Sequence, residues 1–259
     1  MANMICNGLS LEYEAFGDAD KPAVFLIAGL GFQLIDWPVA FCESVAAEGF
    51  HVIRFDNRDI GLSQKLEGLS IHQAHIIGMS MGGMIAQLMA IFYPEKVLSL
   101  TSIMSSSGNR QLPPSTPAAT SVLMSAPASQ DVEDVVDFGL KVNDVIGSPG
   151  YRWDREALRA HIRACVKRNY SPAGYMRQYA AVLASNPRVS ELPGVTAPTL
   201  VIHGKDDPLV PPEAGMDTAR LIPGAKLELV AGMGHDLSPA LCEHLASLVI
   251  PHLSANRSG

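Results

Sequence analysis

The hexapeptide Gly78-Met79-Ser80-Met81-Gly82-Gly83 constrains this chain more than any other stretch. An apolar run, Ala74–Met79, leads into it, and a second apolar stretch, Met81–Tyr93, leaves it and is stopped by Pro94. A strand that becomes a helix across so tight a turn has no room for bulky side chains beside the serine, so glycines flank it. The spacing G-x-S-x-G predicts an exposed Ser80 hydroxyl on a strained backbone, with a helix N-terminus aimed at developing negative charge. Ser80 is therefore the candidate nucleophile.

Strand and helix signals alternate along the rest of the chain. Runs rich in Val, Ile, Leu and Phe mark strands at Leu9–Phe16, Ala23–Ala28, His51–Phe55, Ala74–Met79, Val97–Met104, Thr199–His203 and Lys226–Val230. Most are continuously apolar, as parallel strands covered on both faces require; Leu9–Phe16 alternates more and suits an antiparallel edge. Helices are expected at Met81–Tyr93, at Pro212–Leu221, and from Ser238-Pro239 to Ile250, where Pro251 follows. The pattern predicts an α/β fold with a mostly parallel, doubly wound sheet.

Between 105 and 193 the pattern changes. Pro113, Pro114, Pro117 and Pro127 precede three helical stretches, Val132–Val142, Asp154–Asn169 and Pro172–Ala184, with no strand-like run among them. The expected organisation is a core of residues 1–104 and 194–259 with a helical insertion at 105–193. The connection 56–73 shows no amphipathic period, although a parallel crossover usually carries a helix. Either the connection is plain or a piece of the natural chain is missing from it.

Composition narrows what such a core can serve. The chain has 259 residues, 47% hydrophobic and 17% charged, which is ordinary for a globular domain with a substantial core. A net charge of -7 without any basic run speaks against nucleic-acid binding. No apolar run is long enough to span a bilayer, and Met1-Ala-Asn-Met opens no basic-then-apolar leader, so no membrane partner and a cytoplasmic location are expected. Cys6, Cys42, Cys165 and Cys242 lie far apart, without metal-ligand or disulfide-framework spacing. Neither a metal nor an organic cofactor is expected, and nothing in the residues sets an oligomeric state.

A serine hydroxyl needs a base, and the base needs an acid to orient it. His235, in the glycine-rich loop Gly232-Met233-Gly234-His235-Asp236 after the last strand, is the candidate base. His203 and His75 sit on or beside strands and read as structural. The loop His203-Gly204-Lys205-Asp206-Asp207-Pro208 offers two carboxylates, and Asp207 is preferred over Asp206 because G-x-x-D before a proline fits the loop better. The chain order Ser, Asp, His agrees. Backbone N–H groups of Met81 and of Leu30, in Ala28-Gly29-Leu30-Gly31, are the candidate oxyanion donors. Trp37, Met104, Met124 and Met176 are candidate pocket-lining residues, although core packing explains each of them as well.

At these residues the chain resembles the α/β-hydrolase superfamily, over roughly Leu9 to Ile250, and within it the bacterial esterase branch that includes aclacinomycin methylesterase. The likeness rests on Ala28-Gly29-Leu30-Gly31, the block Val52–Ser63, Gly78–Gly83, Asp207-Pro208 and Gly232–His235. It implies the α/β-hydrolase fold, triad roles for Ser80, Asp207 and His235, oxyanion roles for Leu30 and Met81, and a helical cap over the pocket. Two departures stand out. The family's usual His-Gly before the oxyanion loop is Ala28-Gly29 here, and the helix expected within 56–73 is not recognisable.

The expected activity is hydrolysis of a small or medium carboxylic ester through an acyl-enzyme. A C–C bond hydrolase or perhydrolase would use the same triad, and a non-catalytic ligand-binding homologue would retain it without turnover. Haloalkane dehalogenases and epoxide hydrolases are disfavoured, since those resemblances call for a carboxylate where Ser80 stands.

Overall fold

A computed structural model describes residues 2–6, 9–57 and 72–257, with side chains from residue 12 onward. Eight strands form one sheet in the order β1-β2-β4-β3-β5-β6-β7-β8. They are β1 (Ala2–Cys6), β2 (Leu9–Phe16), β3 (Ala23–Ile27), β4 (His51–Phe55), β5 (Ala74–Met79), β6 (Val97–Ile103), β7 (Thr199–Gly204) and β8 (Lys226–Val230). The first two pair antiparallel, and β2 pairs antiparallel with β4, whereas every neighbour from β4 to β8 is parallel. The mostly parallel doubly wound sheet is thus present, with β2 at its antiparallel flank and β1 added outside it.

Alternate residues of the central strands feed two cores. Val24 and Leu26 of β3 and Ile77 and Met79 of β5 pack with helices α1 (Val39–Ala47) and α8 (Pro239–Ala255) on one face. Ala23, Ile27, Ala74 and Ile76 face the other way, against α2 (Met81–Phe92) and the end of α7 (Pro212–Leu221). Burial on both faces explains why β3 and β5 read as continuous apolar runs. The outermost strand β8 instead alternates exposed and part-buried residues, because only one of its edges and one of its faces are well covered.

Residues between β6 and β7 form four helices: α3 (Pro117–Leu123), α4 (Val132–Ile146), α5 (Arg155–Arg168) and α6 (Pro172–Ala184). The proline-rich start of this block hides α3 from the sequence reading. Pro117 occupies its first turn and the Thr116 hydroxyl accepts the Ala119 N–H at 3.2 Å, so the prolines start a helix instead of excluding one.

Helix α8 also differs from expectation, running through Pro251 to Ala255 instead of stopping at Ile250. An interior proline costs roughly 3 kcal/mol through its missing N–H and ring clash. Val249 and Leu253, one turn apart, are both fully buried in the main core, at roughly 1.5–3 kcal/mol each. Val249 lies before the proline in either case, so what the longer helix adds is the burial of Leu253, with His252 buried beside it, comparable in size to the local penalty.

Of the 56–73 connection only Asp56, Asn57, His72 and Gln73 are described, so its suspected missing helix, and the Arg58–Ser63 part of the family block, lie outside the described residues. No helix among the described residues is long and apolar enough to cross a membrane.

Candidate active site

The C-terminal ends of β5, β7 and β8 carry Ser80, the Asp206-Asp207 loop and the His235 loop to the same edge of the sheet. That edge is where open α/β sheets gather their ligand-binding groups.

Ser80 joins β5 to α2 with φ +53, a conformation costing a non-glycine residue roughly 1–3 kcal/mol. Hydrogen bonds to its backbone hold it there. Its N–H donates to Ile103 O at 2.9 Å, its carbonyl accepts the Gly83 N–H at 3.0 Å, and the Ser105 hydroxyl donates to the same carbonyl at 2.7 Å. The glycines are steric necessities. A Cβ at Gly78 would lie 2.1 Å from Gly82 O, and one at Gly82 would lie 2.2 Å from Ile27 O.

His235 Nε2 stands 3.0 Å from Ser80 Oγ, and its Nδ1 stands 2.7 Å from Asp207 Oδ2. The other carboxylate oxygen, Oδ1, accepts the Leu209 and Val210 N–H groups, each at 2.9 Å. Burial by itself raises the Asp207 carboxyl. The His235 charge, its hydrogen bond and the Val210 amide together outweigh that and hold it below the usual carboxylate range. An ionised Asp207 requires the proton on Nδ1, which leaves the Nε2 lone pair facing the serine hydroxyl. Asp206 points elsewhere: its Oδ2 accepts the Gly232 N–H at 2.7 Å and braces the histidine loop.

The helical block also fixes that loop. The His235 N–H donates to Ile146 O at 2.7 Å, and the Gly234 N–H donates to Ser148 Oγ at 2.9 Å. Asp236 accepts the Ser148 N–H at 3.0 Å and the Asn143 side-chain amide at 2.8 Å. Asp236 was legible only as a neighbour of His235, and Asn143 and Ser148 carry no sequence signal at all.

The Leu30 and Met81 N–H groups donate to no other group among the described residues. The loop 28–34 that carries Leu30 is tied down on both sides. Asn57 donates to Ala28 O at 2.8 Å, and Asp56 Oδ1 accepts the Leu34 N–H at 2.7 Å, so these two members of the family block hold the loop. Arg168 of α5 pairs with Asp56 Oδ2 at 2.6 Å, and Gln178 of α6 accepts the Gly31 N–H at 3.0 Å. A Cβ at Gly29 would sit 3.2 Å from Ser80 Cβ, which shows how closely this loop approaches the serine.

The pocket candidates separate. Trp37 and Met104 are buried in the main core, Trp37 against Phe41 with ring centroids 5.4 Å apart. Met124 and Met176 are exposed on the helical block. His75 and His203 sit within the sheet layer as buried groups: His75 Nδ1 lies 2.8 Å from Ser99 Oγ, and His203 Nε2 lies 2.8 Å from Val210 O.

Comparison with known proteins agrees with this architecture. A model of the alpha/beta hydrolase family matches residues 15–244. Rhodomycin D methylesterase of Streptomyces peucetius is 28% identical, over 97% of this chain and 98% of that protein. That alignment runs over 299 positions, more than the 259 residues here, so the relative carries insertions without a counterpart in this chain. A 2-hydroxy-6-oxononadienedioate/2-hydroxy-6-oxononatrienedioate hydrolase of a Pseudomonas species is 27% identical over 82% of this chain and 72% of its own. Among solved structures, an enol-lactonase from Burkholderia xenovorans superposes with a TM-score of 0.78 at 21% identity, covering 98% of this chain and all of the other.

Proposed function

The chain belongs to the alpha/beta hydrolase family, and from that premise we propose that it is a serine esterase acting on a small or medium carboxylic ester through an acyl-enzyme. One observation carries the reading: a single imidazole bridges a strained serine hydroxyl at 3.0 Å and a buried carboxylate at 2.7 Å. In the proposed cycle His235 Nε2 takes the Ser80 proton as Oγ attacks the ester carbonyl. Asp207 stays ionised, keeps the ring oriented and stabilises the imidazolium. The Leu30 and Met81 N–H groups receive the oxyanion, a contribution worth about 10²–10³ in rate for each donor. His235 then protonates the leaving alcohol, and afterwards removes a proton from the water that attacks the acyl group.

Residues 105–193 are proposed as a cap over this site, and residues 1–104 and 194–259 as the core beneath it. The ties from Ile146, Ser148 and Asn143 to the histidine loop, and from Gln178 to the oxyanion loop, support that division. The relative named for methyl-ester cleavage makes a methyl ester of a carboxylic acid the first substrate class to test.

A second reading rests on the dienedioate hydrolase. Its named substrate is a keto-diacid with no ester, so its hydrolysis breaks a carbon–carbon bond. The same triad serves that reaction.

The deciding experiment compares wild type with Ser80→Ala on short-chain nitrophenyl and methyl esters, alongside a vinylogous keto-acid. Ester turnover lost in Ser80→Ala, with fluorophosphonate label mapped to Ser80, is the expected result. Equal rates in the two proteins end the catalytic reading, and turnover of the keto-acid alone selects the second.

A further inference from the structure

Away from the triad, Asp36, His161 and Cys165 bring three different donor atoms to one point where α5 meets the loop after β3. His161 and Cys165 are one helical turn apart, on one face of α5. His161 Nε2 lies 2.8 Å from Asp36 Oδ1, Cys165 Sγ lies 3.7 Å from the same oxygen, and the sulfur is 3.6 Å from the imidazole nitrogen. A tetrahedral Zn²⁺ with metal–nitrogen and metal–oxygen bonds of about 2.0–2.1 Å and a metal–sulfur bond of about 2.3 Å needs sulfur separations of about 3.6 Å and a nitrogen–oxygen separation of about 3.3 Å. Both sulfur distances are already in place, and only the nitrogen–oxygen gap has to open, by about half an ångström.

The groups around the three donors orient them. Asp36 Oδ2 accepts the Gln33 N–H at 2.6 Å, which turns Oδ1 toward the helix. Gln33 in turn donates to the carbonyls of Cys165 and Asn169, at 2.8 and 2.9 Å, and so fixes the last turn of α5 against the loop. The Trp153 ring stacks on His161, with centroids 5.4 Å apart, and sets its plane. Partners that orient ligands in this way are the usual second layer of a metal site.

We propose that Asp36, His161 and Cys165 bind a borderline-soft divalent ion of the Zn²⁺ type, with water in the fourth position, and that the ion clamps α5 to the loop bearing Leu30. The thiolate and imidazole favour Zn²⁺ over Mg²⁺ or Ca²⁺, which take oxygen ligands. Binding exchanges the Cys165 thiol proton for a metal–sulfur bond, and the hydrogen that His161 Nε2 directs at Asp36 gives way as the neutral ring takes its Nδ1–H tautomer, so the proton released comes from Cys165. Sequence spacing could not announce this site, because its carboxylate comes from a segment 125 positions before the histidine.

Cobalt serves as the spectroscopic probe for the full chain after chelator treatment. One equivalent of Co²⁺ is expected to produce a thiolate-to-cobalt charge-transfer band that is absent in Cys165→Ser, with affinity at least about tenfold weaker in His161→Gln. Zn²⁺ in roughly hundredfold excess over its dissociation constant is expected to raise Tm by about 5 °C in wild type and not in Cys165→Ser. The band and the shift must both persist in Ser80→Ala, which separates this site from the triad. A wild type without the band, or a band retained in Cys165→Ser, overturns the proposal. Should Cys165→Ser not fold, Asp36→Asn replaces it: a tenfold loss of Co²⁺ affinity supports the site, and unchanged affinity removes it.

Discussion

Gln178, on helix α6, accepts the Gly31 amide hydrogen at 3.0 Å, across 147 positions of sequence. The loop proposed to supply the Leu30 oxyanion donor is therefore held by the helical block as well as by the sheet. Gly31 is half-buried, so losing this acceptor costs at most about 1 kcal/mol, the net worth of one hydrogen bond, which is enough to shift the loop. Gln178→Leu is expected to lower kcat on a short ester about tenfold with KM little changed, and Gln178→Glu, which keeps the acceptor, to restore most of it. An unchanged kcat in Gln178→Leu means that Asn57 and Asp56 suffice to hold the loop.

The adjacent carboxylates should separate cleanly in steady-state kinetics. Asp207 faces His235, whereas Asp206 faces the Gly232 amide. Asp207→Asn leaves the geometry but favours the wrong imidazole tautomer, so kcat is expected to fall about 10⁴-fold. Asp206→Asn should stay within about tenfold of wild type. The reverse order would move the acid role to Asp206.

The turn at Ser80 has no slack. In Gly78→Ala the new Cβ would meet the Gly82 carbonyl oxygen at 2.1 Å, a backbone atom that cannot step aside without moving the start of α2. A loss of about 2–3 kcal/mol in unfolding free energy is expected, by the same reasoning that makes overpacked cores costly. Urea denaturation of the variant measures it; a loss below about 1 kcal/mol means the strand–helix junction relaxes.

Acid should destabilise the protein well before the carboxylates titrate. Burial, then the charges of His252 and Arg257, lower His75 from 6.5 to about 4. The unfolded chain takes up that proton near pH 6.5 while the folded chain resists until about pH 4. Its stabilising contribution, about 3 kcal/mol, is therefore complete above pH 6.5 and disappears as pH falls toward 4. His203 and His252, lowered mainly by burial, act with the same sign. Unfolding free energies taken from pH 7 to pH 4.5 should decline less steeply for His75→Asn than for wild type. Parallel slopes would assign the acid sensitivity elsewhere.

Most of the architecture was legible because burial on two faces writes itself into composition. β3 and β5 lie inside the sheet with a helix layer on each side, so apart from His75 their residues are apolar. Helix starts at Ser171 and Ser238 were legible for a local reason, since each hydroxyl caps an N–H three residues on. The missed features are those where distant packing overrides a local rule. Leu253 in the core carries α8 past Pro251, and α3 begins among prolines that read as loop.

Short-range sterics determine the geometry at Ser80 from the letters alone, because a glycine two residues on either side is the only way to fit that turn. Which imidazole nitrogen meets which oxygen is another matter. Asp206 and Asp207 are chemically identical neighbours, and the way the chain leaves β7 turns one toward His235 and the other toward Gly232. The ties from Gln178, Arg168, Asn143 and Ser148 to the segments at this edge of the sheet likewise exist only in the folded chain, since hydrogen bonds between segments many turns apart leave no periodicity for a sequence to display.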